Sequence, residues 1–378
     1  MKSESDKPDP ILFATAARGT EGAVRDELRE LGFRGVRADR GGVHFGRTLE
    51  EGFRAALELR TALRVLYRLG SFPAPSEAAL YEGVAAIDWQ PYLTERHTLA
   101  VRAYCRDSAL THTQFIAQKT KDAIVDQLRD RLGARPSVDL DDPDVTLFVH
   151  LVRDHATVYL DLAGASLHRR GWRENAMAAP LKESLAAAIL RLSGWDRDSP
   201  LSDPMCGSGT LAIEAALAAR QIAPGLARQR FGFERWACHD DAAKKRMTSL
   251  RLQAHTKIRK EQPRIVGSDI DVAALTVARD NAAAAGVNVE WRRASVRDLA
   301  PQNPPGVVVV NPPYGERLDV PPELHRDMAR AFERLSGHRV VILAGAPSVV
   351  REMRLRPVKS QAVWNGDIEC RLLTYEVP

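Results

Sequence analysis

The segment Asn311-Pro312-Pro313-Tyr314 follows a run of four valines, Val307 to Val310. The valine run predicts a fully buried strand, and because two prolines cannot continue it, the chain must leave the sheet at Asn311. In open α/β sheets, ligands bind beyond the carboxyl ends of the strands. The segment therefore predicts a site that offers an amide oxygen, a free carbonyl and an aromatic ring.

These three groups suit a flat ring that carries an exocyclic amine. The amine would donate to the side-chain oxygen of Asn311 and to the carbonyl of Pro312, while the ring stacks on Tyr314. Two acceptors favour a tetrahedral nitrogen whose lone pair can attack an electrophile. An ordinary exit from a strand is the alternative interpretation, since Pro-Pro pairs are common.

A glycine-containing segment upstream, residues 201–210, has the pattern of a ligand-binding turn between a strand and a helix. We predict that the strand ends at Asp203 and that the helix runs from Thr210 to about residue 220. The glycines at 207 and 209 let the backbone approach a ligand closely, as in dinucleotide sites. The carboxylate of Asp203 favours a ligand with a cationic amino group instead, because it would repel a pyrophosphate.

Asp269 ends the next predicted strand, residues 264–269, where a carboxylate can accept hydrogen bonds from both hydroxyls of a ribose. It could instead cap the helix predicted over residues 272–285, but Asp271 can also do that. We therefore interpret Asp269 as a ribose ligand.

Both segments resemble motifs of known enzymes. Asn311 to Tyr314 resembles the signature of amino-methyltransferases that use S-adenosylmethionine, and Asp203 to Thr210 resembles the first motif of the guanine amino-methyltransferases. Ser295 stands where many methyltransferases carry an acidic residue, so Asp298 is the nearby candidate to accept from the adenine amine.

The resemblance implies two sets of site residues. The catalytic set is Asn311, Pro312, Pro313 and Tyr314. The set that contacts S-adenosylmethionine is Asp203, Met205, Cys206, Gly207, Ser208, Gly209, Thr210, Asp269, Ile270, Asp298 and Asn311. Residues 179–183 resemble the segment that flanks the cofactor in the same enzymes.

The N-terminal half has a different pattern. A strand over residues 11–16, a helix from Glu21 to Leu31 capped by Thr20, a strand region over 36–45 and a helix over 49–67 predict a small α+β unit. Residues 75–165 resemble a THUMP domain, with Thr111 to Gln114 entering a helix over 113–132 and Asp161 to Gly164 following the last strand. That resemblance implies RNA binding.

Basic residues accompany these elements in three places. They are Arg102, Arg106, Lys119, Lys121, Arg129 and Arg131 in the THUMP-like block, the connector 167–173, and the insertion 220–260. The insertion holds eleven Lys/Arg and three Asp/Glu, a balance of +8, with Phe231, Phe233 and Trp236 among them. Cations and aromatic rings together suit phosphates and unstacked bases, whereas a solvated helix face is the alternative interpretation.

The composition of the whole chain limits its class. The chain has 378 residues, 44% of them hydrophobic and 27% charged, with a net charge of +5. Its four cysteines lie far apart without metal-ligand spacing, which predicts reduced thiols, no metal and a cytoplasmic protein. The chain shows neither an apolar run long enough for a membrane span nor the apolar core of a signal peptide.

Nearly the whole chain resembles the THUMP-containing guanine-amino methyltransferases of RNA, specifically the bacterial large-subunit rRNA type. The fold expected is α/β, with a ferredoxin-like domain (10–70), a THUMP domain (71–166) and a Rossmann-like class I methyltransferase domain (167–378). The activity implied is methyl transfer from S-adenosylmethionine to the 2-amino group of a guanine in RNA, with 23S rRNA ahead of other RNAs. Action on tRNA, adenine-N6 methylation and a non-catalytic RNA- or nucleotide-binding role stay open.

Overall fold

The protein is described by a computed structural model that covers residues 10–173, 181–313, 323–353 and 355–378. These residues form two β-sheets with helices packed against them. Tyr314 and residues 179 and 180, which carry sequence-based expectations, lie outside the described residues.

The first sheet contains eight strands in the order β2-β3-β1-β4-β8-β7-β5-β6. Its strands and helices in chain order are β1 (Leu12–Thr15), α1 (Glu21–Glu30), β2 (Arg37–Asp39), β3 (Gly42–Phe45), α2 (Leu49–Glu58), β4 (Arg64–Pro73), α3 (Glu77–Ala85), β5 (Thr98–Arg106), α4 (Thr113–Leu132), β6 (Ser137–Val138), β7 (Val145–Val152) and β8 (His155–Asp161). β4 pairs with β1 on one side and with β8 on the other, so a continuous sheet joins the N-terminal unit to the THUMP-like block.

The helix predicted to reach Tyr67 is too long. α2 ends at Glu58, and residues from Arg64 onward form β4. Leu66 of β4 lies opposite Phe13 of β1 and Asp161 of β8, so strand partners on both sides supply its backbone hydrogen bonds. These partners are distant in sequence, and the helical spacing of leucines in this stretch could not reveal them.

The starts of the first two helices are capped differently. Thr20 precedes α1 as predicted, but its hydroxyl donates to the carbonyl of Ala17 at 2.7 Å and does not cap the helix. Thr48 forms a complete capping box with Glu51 at the start of α2. The prediction that the side chain of Thr20 caps α1 is therefore wrong, although the helix begins at the expected residue, Glu21.

The second sheet contains seven strands in the order β11-β10-β9-β12-β13-β15-β14. Its elements in chain order are α5 (Glu183–Leu192), β9 (Leu201–Asp203), α6 (Thr210–Ala219), α7 (Asp241–Thr256), β10 (Ile265–Asp269), α8 (Val272–Ala284), β11 (Glu290–Arg293), β12 (Val307–Val310), α9 (Leu324–Glu333), β13 (Arg339–Ala344), α10 (Pro347–Glu352), β14 (Lys359–Asn365) and β15 (Ile368–Glu376). β9 to β13 are parallel, and β15 and β14 close the edge as an antiparallel hairpin, as the sequence predicted. The two-residue loop of this hairpin is Gly366-Asp367, one position later than the predicted Asn365-Gly366, because Asn365 still pairs with Ile368.

The aromatic residues of the insertion are part of a core. Phe231, Phe233 and Trp236 are each at most 3% exposed and join the hydrophobic cluster of the first sheet. The ring of Phe233 stacks on Phe53 of α2 with 4.0 Å between centroids. The prediction that these rings meet unstacked bases is wrong, because they are buried against the helices and strands of the N-terminal half.

Two large side chains of the connector before α5 are also buried. Arg170 is 2% exposed, forms an ion pair with Glu214 of α6 at 3.2 Å and donates to the carbonyl of Leu167 at 2.8 Å. Trp172 is likewise 2% exposed. These two residues therefore cannot clamp phosphates or stack on a base, and they join the two halves of the molecule instead.

Within the part of the chain that the structure describes, none of the helices is both long and apolar enough to cross a membrane.

Candidate cofactor and amine site

Three predicted residues meet at one edge of the second sheet. β9 ends at Asp203, β10 ends at Asp269, and Asn311 directly follows β12. Gly267 of β10 lies opposite Asp203, and β12 flanks β9 on the other side in parallel register. The carboxyl ends of the three strands therefore place a carboxylate on either side of a turn and an amide beside them.

The turn between β9 and α6 leaves open space above its backbone. Gly207 has φ +50°, and a Cβ built on it would meet no described atom within 4 Å. Its backbone N–H donates to the Asp269 carboxylate at 2.9 Å. The positive φ and the free space are the conditions under which a ligand can approach a backbone closely.

Gly209 occupies the turn for a steric reason. It begins α6 with φ +81°, and a Cβ there would lie 2.6 Å from the ring of Trp291 on β11. The same ring also covers Gly267. Trp291 was not among the predicted site residues. Its ring packs against the backbone of the turn at Gly209 and against Gly267 of β10.

Asp203 is a buried carboxylate with an unsatisfied oxygen. It is 2% exposed, its Oδ1 has no hydrogen-bond partner among the described residues, and the backbone N–H of Met205 donates to the carboxylate. Burial raises the pKa of Asp203 to about 8, and the nearby Asp269 contributes to the increase. A cationic group placed here would satisfy both the free oxygen and the charge.

Asp269 is held in place by backbone donors. One carboxylate oxygen accepts from Gly207, and the other accepts from the backbone N–H of Asp271 at 3.0 Å. Asp271 caps α8 by accepting from Ala273 at 2.8 Å, so Asp269 is not needed as the helix cap. The next residue, Ile270, is 67% exposed beside this carboxylate.

The remaining residues of the turn act through other contacts. Cys206 is buried, which raises the pKa of its thiol, and its backbone N–H donates to Ser268. The carbonyl of Ser208 accepts from the buried Asn281 of α8 at 3.2 Å. The hydroxyl of Thr210 accepts from Arg173 at 2.9 Å.

Arg173 and Asn281 were not predicted as site residues. Arg173 also forms an ion pair with Glu183 at 3.1 Å, so it connects the turn to the start of α5. Burial raises the pKa of Glu183. The contacts of both residues with the turn have no local sequence signal, because Arg173–Thr210 and Asn281–Ser208 each join positions more than 30 residues apart.

Asp298 lies at the end of a short 3-10 turn, Val296–Asp298, which follows β11 and is capped by the side chain of Ser295. Its carboxylate is exposed and forms no ion pair or hydrogen bond within the described residues. The turn therefore places Asp298 beyond the carboxyl end of β11.

Asn311 presents a second unsatisfied acceptor. Its Oδ1 is buried and has no hydrogen-bond partner among the described residues, and Pro312 behind it is buried. Pro313 is half-buried. This buried oxygen is free to accept a hydrogen bond from a ligand at the end of β12.

Models of three protein families match the chain. The RMKL-like methyltransferase domain matches residues 170–374, more than half of the chain. The THUMP domain matches residues 74–161, and the RlmL ferredoxin-like domain matches residues 11–66.

The chain belongs to the RMKL-like methyltransferase family. The predicted resemblance and the predicted fold class, a Rossmann-like methyltransferase domain preceded by ferredoxin-like and THUMP domains, are thereby confirmed.

Two similar proteins are both named ribosomal RNA large subunit methyltransferase K/L. The protein from Syntrophotalea carbinolica is 42% identical over 97% of this RMKL-like chain, and the one from Methylococcus capsulatus is 43% identical over 97%. The matches cover 53% and 51% of those proteins, so the chain spans about half the length of these relatives.

Solved structures also match over nearly their full length. The structure of SMU.472 in complex with SAH has a TM-score of 0.86 and 32% identity, with 98% of this chain and 99% of that chain covered. A Listeria monocytogenes protein described as a predicted N6-adenine-specific DNA methylase has a TM-score of 0.88 and 32% identity, covering 98% and 97%.

Proposed function

We propose that this RMKL-like chain transfers a methyl group from S-adenosylmethionine to the exocyclic 2-amino group of a guanine in RNA, with 23S rRNA as the substrate. The observation that carries this is the buried, unpartnered Oδ1 of Asn311, which lies at the same sheet edge as the Asp203–Asp269 pair. The names of the K/L relatives support rRNA as the substrate.

The residues at the sheet edge fit S-adenosylmethionine. The free Oδ1 of Asp203 suits the ammonium group of its methionine part, and the open space above Gly207 admits the ligand next to the backbone. Asp269 suits the ribose hydroxyls, and the exposed Ile270 gives an apolar surface for the adenine ring, with Asp298 as acceptor for the adenine amine. The other predicted residues, from Met205 to Thr210, shape the turn.

The catalytic role falls to the segment after β12. S-adenosylmethionine, when bound, supplies an electrophilic methyl group. The side-chain oxygen of Asn311 and the carbonyl of Pro312 each accept a hydrogen bond from one N–H of the target amine. These two bonds keep the lone pair of the amine directed at the methyl group, and Pro313 restricts the conformation of the loop. The new C–N bond forms as the S–C bond breaks, and the amine then releases a proton to water.

The target guanine must leave its base stack to reach this edge, because a base inside a duplex cannot expose its amine there. We propose that Tyr314 stacks on the extruded base. We propose that the chain is divided into domains 10–70, 71–166 and 167–378, with β4 (Arg64–Pro73) extending across the first boundary.

One alternative has specific support. The adenine-N6 amine could use the same acceptors, and the Listeria relative bears the name of an adenine methylase. Transfer of tritiated methyl groups to tRNA, free 23S rRNA and assembled subunits, followed by nucleoside analysis, separates the candidates. N2-methylguanosine in 23S rRNA supports the proposal. Detection of N6-methyladenosine or of label in tRNA would replace the proposed activity with the corresponding alternative. The absence of label from every RNA would favour a binding role without catalysis.

A further inference from the structure

Arg173, in the connector before α5, contacts two separate segments of the C-terminal half. Its Nη2 donates to the hydroxyl of Thr210 at 2.9 Å and to the carbonyl of Leu181 at 3.2 Å. Its Nε forms an ion pair with Glu183 at 3.1 Å. One guanidinium group therefore joins the connector to the start of α5 and to the first residue of α6.

These contacts are largely shielded from water. The side chain of Arg173 is 14% exposed and that of Glu183 is 5% exposed. Burial raises the pKa of the Glu183 carboxyl, and the positive charge of Arg173 opposes this rise. The guanidinium carbon also lies 5.4 Å from the centre of the Trp172 ring. Because a buried charge needs its partners within the protein, these contacts restrict the guanidinium to one position.

A second arginine of the connector contacts the same helix one turn further along. Arg170 forms an ion pair with Glu214, which lies four residues after Thr210 and therefore on the same face of α6. Both of these α6 residues are buried. Arg170 also donates to the carbonyl of Arg60 in the N-terminal half. The connector thus contacts α6 at two successive turns.

The residue that Arg173 contacts on α6 ends the glycine-containing turn. Thr210 directly follows Gly209, which has φ +81°. Further back in the turn, the backbone N–H of Gly207 donates to Asp269 at 2.9 Å, below the open space described above. Because the segment between β9 and α6 is short, a shift of Thr210 would move this backbone as well.

We propose that Arg173 is a positioning residue for S-adenosylmethionine, because it holds the first turn of α6 against the start of α5 and so keeps the glycine turn in its binding arrangement. Arginine suits this role, since its planar fork can reach acceptors on two segments at once, whereas lysine provides a single point charge. In this inference Arg173 acts on the cofactor through Thr210. The inference rests on the proposed function in taking residues 203–210 as the cofactor turn.

The first test is Arg173→Lys in the full chain. The lysine keeps a positive charge beside Glu183 but cannot reproduce the guanidinium contacts with Thr210 and Leu181. Calorimetry should show that affinity for S-adenosylmethionine falls by about 5- to 20-fold. In the methyl-transfer assay, the KM for the cofactor should rise by the same factor, while turnover at saturating cofactor stays at the parent value.

Arg64→Lys is the matched control. Arg64 also forms an ion pair with a buried carboxylate, that of Asp161, and donates to the carbonyl of Gly164 at 2.9 Å, but these contacts lie in the N-terminal half. Affinity for S-adenosylmethionine should be unchanged in this variant. Equal affinity of Arg173→Lys and the parent, or equal losses in both lysine variants, would overturn the proposal.

A double-mutant cycle tests whether Arg173 acts through Thr210. Thr210→Val removes the hydroxyl acceptor and keeps the shape of the side chain. In the Thr210→Val background, Arg173→Lys should change the affinity for S-adenosylmethionine by less than about 2-fold, because the contact is already lost. Additive losses would show that Arg173 does not act through this residue, and they would overturn the proposal.

Hydrogen exchange of the cofactor-free protein reports on the turn without any ligand. Peptides that cover residues 203–213 should exchange faster in Arg173→Lys than in the parent, because the turn loses a contact that orders it. Peptides from β5 (Thr98–Arg106) should exchange at the same rate in both proteins. Unchanged exchange of the turn would contradict the positioning role.

The outcomes also separate this inference from the proposed function. Asp269→Ala, which removes a proposed cofactor ligand, is the reference. Weaker binding of S-adenosylmethionine by Asp269→Ala but not by Arg173→Lys would refute the positioning role and leave the cofactor site standing. A parent that binds no S-adenosylmethionine would refute the proposed cofactor site and, with it, this inference.

Discussion

The side-chain oxygen of Asn311 is buried and has no hydrogen-bond donor in the described structure. In the proposed reaction it matters most as the amine becomes tetrahedral and positive, so its loss should lower turnover more than binding. Asn311→Ala should reduce single-turnover methyl transfer at saturating cofactor and RNA by about 100- to 1000-fold. Asn288→Ala, before β11 at the opposite sheet edge, is the control. Turnover of Asn311→Ala at the parent rate would make the segment a simple strand exit.

Asp269 accepts hydrogen bonds from Gly207 and Asp271 and is proposed to accept from the ribose. Asp269→Ala should weaken S-adenosylmethionine binding by about 1.5–3 kcal/mol, the range for hydrogen bonds to a charged group. Calorimetry measures this directly. Equal affinity in a folded variant would place the ribose contact on another residue.

Asp203 gives stability a defined dependence on pH. Its pKa in the folded protein is about 8, whereas an aspartate in an unfolded chain titrates near ~3.9. The folded state therefore holds the proton more tightly, and the contribution of Asp203 to stability is fully present below about pH 4 and is lost as the pH rises to about 8.

Without cofactor, the parent should lose unfolding free energy relative to Asp203→Asn between pH 5 and 8, since asparagine carries no charge to bury. Urea unfolding at each pH gives the difference between the two proteins. A difference that does not change with pH would show that Asp203 titrates normally.

At the scale of elements, the start of α6 depends on the contact between Gly209 and Trp291. Gly209→Ala places a Cβ on a residue with positive φ and against the ring of Trp291. It should therefore lower the unfolding free energy more than Gly133→Ala, where φ is +73° and a Cβ would meet no described atom within 4 Å. We expect the unfolding free energy to fall by about 1 kcal/mol in Gly133→Ala and by about 2–4 kcal/mol in Gly209→Ala. Thermal unfolding measures both.

A second comparison isolates the ring. In a Trp291→Ala background, the loss of unfolding free energy caused by Gly209→Ala should fall, because the ring 2.6 Å from the new Cβ is gone. It should stay above that of Gly133→Ala, since Ala278 and Ile213 still lie 3.1 and 3.3 Å from that Cβ. A cost that stays the same would assign the whole effect to the backbone.

At the scale of the whole molecule, the insertion 220–260 of the C-terminal half packs into the core of the first sheet. The stacked rings of Phe53 and Phe233 connect α2 to the insertion, and the buried Arg170–Glu214 pair connects the connector to α6. Isolated residues 171–378 would expose Phe231, Phe233 and Trp236, so the C-terminal half is expected to be less stable alone than within the chain.

Phe233→Ala should therefore lower the unfolding free energy by about 3–5 kcal/mol, the usual cost of deleting a buried aromatic ring. Phe115→Ala, at an exposed position of α4, should change it by less than about 0.5 kcal/mol. Calorimetric scans of both variants test this, and equal melting temperatures would contradict a core shared by the two halves.

The local sequence determined much of the site. Three local patterns predicted residues of the candidate site, and each pattern spans no more than ten residues. They are the valine run followed by Asn311 and two prolines, the aspartate before two glycines, and the aspartate at the end of a strand. The structure places all three at one sheet edge, because the carboxyl ends of parallel strands meet there. The sequence also identified Asp271 as a possible helix cap, because a capping side chain bonds to a backbone N–H only two or three residues further along the chain.

Only the tertiary structure decided what surrounds these segments. Residues 64–67 form a strand because β1 and β8 pair with it, and the aromatic rings of the insertion are buried because α2 lies against them. Trp291 and Arg173 support the turn across long sequence separations. In each case the deciding contact joins residues far apart in the chain, and sequence periodicity reports which side chains are apolar but not which surface buries them.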